Sequence, residues 1–265
     1  MKFRSQKTLS VWIVLVLALA GCGGVSSSSS NGMPPAAASV VRVRFAEGAP
    51  SLETLINGVP QPIGSAYLRV NGQTVSSQFN YASITSFLNM TPGTKSMSAL
   101  NTLGYRVGPF ESSPLTGGKD YTLVLVGSYP DYRVLTFEEP GGSKGGAQLS
   151  LYEASPAAPK ADFGTFTASS RSNYKRLGSA TLGQVATASL GAHVTNFGGY
   201  AGKGTNPFIC GSSSNVCGDV TPASVNSFDK HNALPFHNAS RFSIFIFDSN
   251  PYGTTTGPVF GSLDR

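Results

Sequence analysis

Apolar residues in this chain recur at alternate positions in short runs, and Gly, Pro, Asn or Ser interrupts each run within a few residues. A period of two places successive side chains on opposite faces of a strand, whereas a helix needs apolar residues three and four apart. Val41-Arg42-Val43-Arg44-Phe45 is such a run, with the valines and the phenylalanine expected to be buried and both arginines outward. Tyr67-Leu68-Arg69-Val70 leads into Asn71-Gly72 and then Gln73-Thr74-Val75, the pattern of a hairpin closed by a type I′ turn. Tyr121–Val126 (YTLVLV) and Phe242–Phe247 (FSIFIF) are continuous β-branched and aromatic runs, as in central strands of a sandwich. Ala180–Ala188 (ATLGQVATA) has some helical character, but Gly183 and the threonines oppose it. The expected class is all-β, an immunoglobulin-like antiparallel β-sandwich.

An internal repeat sets the domain organisation. Val43-Arg44-Phe45-Ala46-Glu47-Gly48-Ala49-Pro50 aligns with Leu149-Ser150-Leu151-Tyr152-Glu153-Ala154-Ser155-Pro156. Tyr121–Ser128 aligns with Phe242–Ser249 in the same way. Each copy reads as a strand, then Glu, then a Pro-bearing loop. Residues 141–146, mostly Gly with Ser and Lys, read as a linker between sandwich domains at 39–140 and 147–265. Two tandem sandwiches are therefore expected.

The N-terminus predicts export. Lys2, Arg4 and Lys7 precede the apolar run Val11–Ala20. Ten residues cannot cross roughly 30 Å of hydrocarbon as a helix, but they fit the core of a secretory signal. Leu19-Ala20-Gly21-Cys22 follows and resembles the lipobox of bacterial lipoproteins. The resemblance implies a signal peptide over 1–21, cleavage between Gly21 and Cys22, and a lipidated Cys22 as the new N-terminus. Acyl chains contribute about 0.8 kcal/mol per buried CH₂, so the membrane becomes a partner through lipid. Gly23, rather than Asp, implies an outer-membrane lipoprotein if the cell is Gram-negative. Residues 22–38, after Cys22 all Gly, Val, Ser, Asn, Met, Pro and Ala, have no apolar period and read as a flexible tether.

Charge matters once the signal is removed. The full chain carries 19 Lys+Arg against 13 Asp+Glu, a formal +6. All three basic residues of the signal leave with it, so Cys22–Arg265 keeps 16 against 13, a formal +3. Half of the apparent basicity is the export signal, and a nucleic-acid partner is not expected.

Within the first half, Phe87-Leu88-Asn89-Met90-Thr91-Pro92-Gly93-Thr94 joins the strand–Glu–Pro motif and the late strand Lys119–Ser128. Together these segments resemble the bacterial domain of unknown function 4397. The resemblance covers most of 39–140 and is weaker over 147–265, where no Pro-Gly-Thr segment stands. Glu47 and Glu153 occupy the position where that family usually has His. The resemblance implies a β-sandwich in exported proteins, often in tandem copies, with no catalytic residue to carry over.

The residues themselves offer little catalytic chemistry. Cys210 and Cys217 form an even pair in an exported chain and are expected to be a disulfide. Six intervening residues fit neither a zinc knuckle nor a redox pair, so no metal or cofactor is expected. His193, His231 and His237 lack a Gly-x-Ser-x-Gly nucleophile, and composition accounts for the two Ser-x-x-Lys matches at 172–175 and 227–230. Glu138 and Glu139 are adjacent on an extended segment and should face opposite ways. Glu47 and Glu153 are expected to bond loop amides. Tyr174, Lys175 and Arg176 form a basic, aromatic, loop-like stretch that is the candidate contact for an anionic ligand, and Tyr129, Tyr132, Tyr200 and Tyr252 are further candidates. The functional expectation is a lipid-anchored, non-enzymatic binding, adhesion or scaffold module with a cell-wall, glycan or envelope-protein partner. The alternative is an envelope hydrolase or glycan-processing enzyme using His231 or His237 with a carboxylate.

Overall fold

The computed structural model describes residues 39–141, 147–157, 160–166, 174–190, 197–201, 208–210, 217–219, 241–248 and 259–264, and every regular element among them is a strand. The first half holds β1 (Val41–Glu47), β2 (Glu53–Ile56), β3 (Val59–Pro62), β4 (Tyr67–Val70), β5 (Gln73–Ser76), β6 (Leu88–Met90), β7 (Ser96–Leu100), β8 (Arg106–Glu111), β9 (Asp120–Val126) and β10 (Arg133–Glu138). The second holds β11 (Ala147–Glu153), β12 (Lys160–Phe166), β13 (Tyr174–Thr181), β14 (Val185–Leu190), β15 (Phe197–Ala201), β16 (Phe208–Cys210), β17 (Cys217–Asp219), β18 (Arg241–Ile246) and β19 (Val259–Asp264).

Each half pairs a four-stranded sheet with a partner sheet. The first sheets have orders β10-β9-β1-β6 and β5-β4-β7-β8, with β2-β3 as a separate hairpin. The second have orders β14-β11-β18-β19 and β13-β12-β15-β16-β17. The expected hairpin at Asn71-Gly72 forms, with φ of 49° and 80° at its two turn residues. The segment with some helical character is strand–turn–strand, because β13 ends at Thr181, Gly183 turns the chain at φ 81°, and β14 joins the other sheet, beside β11. Gly tolerates this left-handed conformation without a Cβ clash.

One expectation needs correction. The sheets are not wholly antiparallel, since β1 runs parallel to β9 and β11 runs parallel to β18. A parallel pair needs a long crossover, and the chain between β1 and β9 supplies it by building the partner sheet. The registers are informative: Val43 pairs with Tyr121, and Leu149 pairs with Phe242.

Both faces of the β1 sheet are covered. Val41, Val43, Phe45, Tyr121, Leu123 and Leu125 pack with Leu68, Val70, Met97 and Ala99 of the partner sheet. On the reverse face Ala46, Val124, Val126 and Phe137 pack with Tyr152, Ala154, Phe245 and Phe247 of the second half. Leu149, Leu151, Ile244 and Ile246 are buried on the other side of the β11 sheet, as are Ala161, Phe163 and Ala180. Residues Ala37–Arg265 thus form one compact unit, in which the β1 and β11 sheets meet face to face. The linker expected at 141–146 falls between β10 and β11. Fully burying a large aromatic or aliphatic side chain contributes about 1.5–3 kcal/mol, so Tyr152, Phe245 and Phe247 hold the halves together strongly.

Candidate functional site

The seam between the β1 and β11 sheets is polar at one end and apolar at the other. Arg42 and Arg44 share one face of β1, and they were both expected outward. Arg42 is: its side chain is 54% exposed and pairs with Asp120 at 3.3 Å. Arg44 is not: its side chain is 2% exposed, because the second half covers that face. Its Nε donates to Thr122 Oγ1 at 2.7 Å. Its Nη2 donates to Glu139 Oε1 at 3.1 Å, to Ser243 Oγ at 3.2 Å and to the Tyr152 hydroxyl at 3.5 Å. Phe87, from the Pro-Gly-Thr motif, lies under both guanidiniums, at 4.8 Å from Arg42 and 4.9 Å from Arg44.

Glu138 and Glu139 do face opposite ways. Glu138 sits in solvent with Lys119 at 2.8 Å, and the Glu139 side chain is 3% exposed. Tyr152 donates to Glu139 Oε2 at 2.6 Å, and Thr122 donates to Oε1. Burial, then the charge of Glu139, raises the Tyr152 phenol above its ordinary value, so it remains a donor. A buried guanidinium and carboxylate are each enclosed by donors and acceptors, which is what a buried charge pair requires. The arrangement fastens one half to the other.

Glu47 and Glu153 end β1 and β11 at the apolar end of the seam. Glu47 Oε1 accepts from the Ala49 amide at 2.7 Å, and Glu153 Oε1 accepts from the Ser155 amide at 2.9 Å. Both residues are fully buried, and Oε2 of each has no hydrogen-bond partner among the described residues. Burial pushes the Glu47 carboxyl well above 4.5 and that of Glu153 up to about 8. Burial thus favours the protonated form of both, and each shapes a loop through its amide bond. Tyr81 closes this end: its hydroxyl donates to the Asp248 carbonyl, and burial with the nearby acids raises it to about 12. Ser155 Oγ donates to Asp248 Oδ1 at 2.5 Å.

Beside the Glu47 loop lies a cleft of about 240 Å³, lined by Pro50, Ser51, Leu52, Pro62, Asn80 and Tyr81 among others. Its lining residues carry no ionised group, so it suits an uncharged group held by contact and by Ser and Asn hydrogen bonds. Tyr132, expected as a free loop aromatic, is 9% exposed, and its hydroxyl donates to Ser51 O and accepts from Glu53 N. It braces the cleft wall instead.

Tyr174, Lys175 and Arg176 lie on β13 rather than in a loop. Lys175 and Arg176 are exposed, Tyr174 is half-buried, and Arg176 is drawn to Asp162 at 3.6 Å. The anionic neighbour offsets the cluster's charge. Cys210 and Cys217 are direct register partners on β16 and β17. Cys22, Gly21, Tyr252 and the three histidines lie outside the described residues, and so does the side chain of Tyr200. No group of His, Cys, Asp and Glu suited to a metal occurs among the described residues.

Sequence reasoning missed the Arg44–Glu139 pair and the Tyr81 closure. Continuous burial in YTLVLV was the available signal: a strand buried on both faces implies a covered sheet, and β1 beside it must share the cover. The model of a domain of unknown function (DUF4397) matches residues 42–164, which run from β1 into β12. No curated protein matches the chain. The span that carries Arg44, Glu47, the cleft and the first-half contribution to the seam is thus similar to that domain.

Proposed function

We propose that this chain is a lipid-anchored cell-envelope protein, acting as a non-enzymatic binding or scaffold module built of two tandem β-sandwich repeats. The observation that carries the anchor is the ordered series Lys2, Arg4, Lys7, then Val11–Ala20, then Leu19–Cys22. The tandem reading is supported by register, since the residues aligned in sequence, Val43 with Leu149 and Tyr121 with Phe242, are the same residues that pair across each parallel junction.

The geometry supports an outward-facing site. The tether enters at the start of β1, and the cleft lies past its other end, about 20 Å away at roughly 3.3 Å per residue. The seam joins the two halves into a stiff body, and the loops at the Glu47 end stand at the opposite end of β1 from the tether. An uncharged cleft beside Pro and Tyr side chains suits a neutral glycan or an envelope protein. The facing backbone positions of Cys210 and Cys217 support the disulfide, because opposed residues on antiparallel strands stand about 4.5–5.5 Å apart at Cα, within disulfide reach.

The test uses the full chain and Cys22→Ser in the native cell type. The wild type takes up labelled palmitate and sediments with membrane, and the variant does neither. Membrane partition of the variant would sink the anchor. The purified mature chain retains cell-wall glycan or an envelope protein without cleaving it, and release of new reducing ends would overturn the non-enzymatic reading.

A further inference from the structure

We propose that Asn57 is a site of spontaneous covalent modification, converting through a succinimide to isoaspartate and aspartate, while Asn71 in the same dipeptide context is protected by the fold. Both residues are followed by Gly, the residue least able to shield its own amide nitrogen from a neighbouring side chain. Both occupy the first position of a type I′ turn, with φ of 54° at Asn57 and 49° at Asn71. Their surroundings differ.

Asn57-Gly58 closes the β2–β3 hairpin, and both turn residues are exposed. That hairpin is a two-stranded sheet of its own. Its base is pinned where Glu53 N donates to the Tyr132 hydroxyl, and β3 is exposed along its whole length. No described residue hydrogen-bonds the Asn57 side chain. Asn71-Gly72, by contrast, closes β4–β5 within a four-stranded sheet. Asn71 Oδ1 accepts from the Ser96 amide at 3.0 Å, Asn71 N donates to Ser96 O at 2.8 Å, and Arg69 Nη2 donates to Gly72 O. These bonds hold the Asn71 carboxamide and the Gly72 peptide in place.

The chemistry requires only water. The deprotonated Gly58 amide nitrogen attacks Asn57 Cγ, the new C–N bond forms, the Cγ–Nδ2 bond breaks, and ammonia leaves with the proton. Water then opens the succinimide at either carbonyl, giving aspartate or isoaspartate. The attack needs the turn to open so that the nitrogen reaches Cγ. A two-stranded ribbon is marginally stable and opens locally far more often than a turn tied into a four-stranded sheet. Isoaspartate adds a methylene to the backbone, which a type I′ turn does not accommodate. Either product places a new carboxylate in residues 48–66, where Glu53 is the one charged residue. The proposal stands independently of what the cleft binds.

The experiment incubates the purified full chain in mildly alkaline buffer and follows each Asn by peptide mapping. Folded, the Asn57 peptide gains the amide-to-acid mass difference and splits into two isomers. The Asn71 peptide converts at least about tenfold more slowly, the factor set by roughly 1.4 kcal/mol of extra opening free energy. In denaturant the two rates converge. Asn57→Gln abolishes the signal at that peptide without touching the other. Equal rates in the folded chain, or the same rate ratio in denaturant, would overturn the proposal. The map reads Asn31-Gly32 as a separate peptide, outside the comparison.

Discussion

Arg44 Nη2 lies 3.1 Å from Glu139 Oε1 in the seam between the two central sheets, with 2% and 3% of the two side chains exposed. A residue in the middle of β1 and one just past β10 thus share a charge-assisted bond that Tyr152 and Ser243, from the second half, complete. Removing one member leaves the other charge buried. Arg44→Met keeps most of the volume and strands the Glu139 carboxylate, so stability falls by about 3–5 kcal/mol. Arg44→Met with Glu139→Gln recovers a large part of that loss. Denaturant unfolding of the four chains of this cycle measures the coupling, and an additive double mutant would contradict it.

Gly48 tests the apolar end of the same seam. A Cβ at Gly48 would stand 2.6 Å from Phe247 Cδ1. Gly48→Ala therefore forces the Phe247 ring to move and destabilises by about 1–3 kcal/mol. Phe247→Leu in that background relieves the clash and restores part of the loss, while Phe247→Ala alone costs about 3–5 kcal/mol. Thermal unfolding of the single and double variants distinguishes a clash from a general loss of packing.

Two buried acids with raised values fix the direction of the pH response. The folded-state value of Glu153, about 8, lies above its ordinary 4.5, so the folded chain holds a proton that the unfolded chain releases. Its contribution is complete below about 4.5 and is lost as pH rises through about 8. Glu47 shifts in the same direction. Glu153→Gln mimics the neutral acid, so it flattens the stability–pH curve and makes the chain more stable than wild type at alkaline pH. Denaturant midpoints across pH for both chains check this, and parallel curves would refute it.

The proposed Cys210–Cys217 disulfide gives a redox prediction. The mature chain recovered from an oxidising compartment carries no titratable thiol from this pair. Replacing Cys217 by Ser removes an eight-residue closed loop and costs about 2.5 kcal/mol on the chain-entropy account. Thiol counting under denaturing conditions, with and without reductant, reads the pair directly.

Much of the fold was legible in sequence because it depends on local pattern. The Asn71-Gly72 hairpin, the turn at Gly183, the strands flanking Glu47 and Glu153 and the opposite facing of Glu138 and Glu139 all follow from period and turn chemistry. The loop-amide bonds of Glu47 and Glu153 were expected from the matching strand–Glu–Pro patterns around them. The strand at Tyr174 was not legible, because Tyr-Lys-Arg has no apolar alternation to mark it.

The sequence by itself determined the strand class and the Asn71-Gly72 hairpin, since each is written in residues close along the chain. The tertiary structure alone decided that β1 runs parallel to β9, that Arg44 is buried and Arg42 is not, and that Tyr81 meets Asp248. Alternation assigns two faces to a strand, but it does not say what covers the second one. Here that cover is the sheet of the second half, and one guanidinium becomes structural because that sheet lies over it.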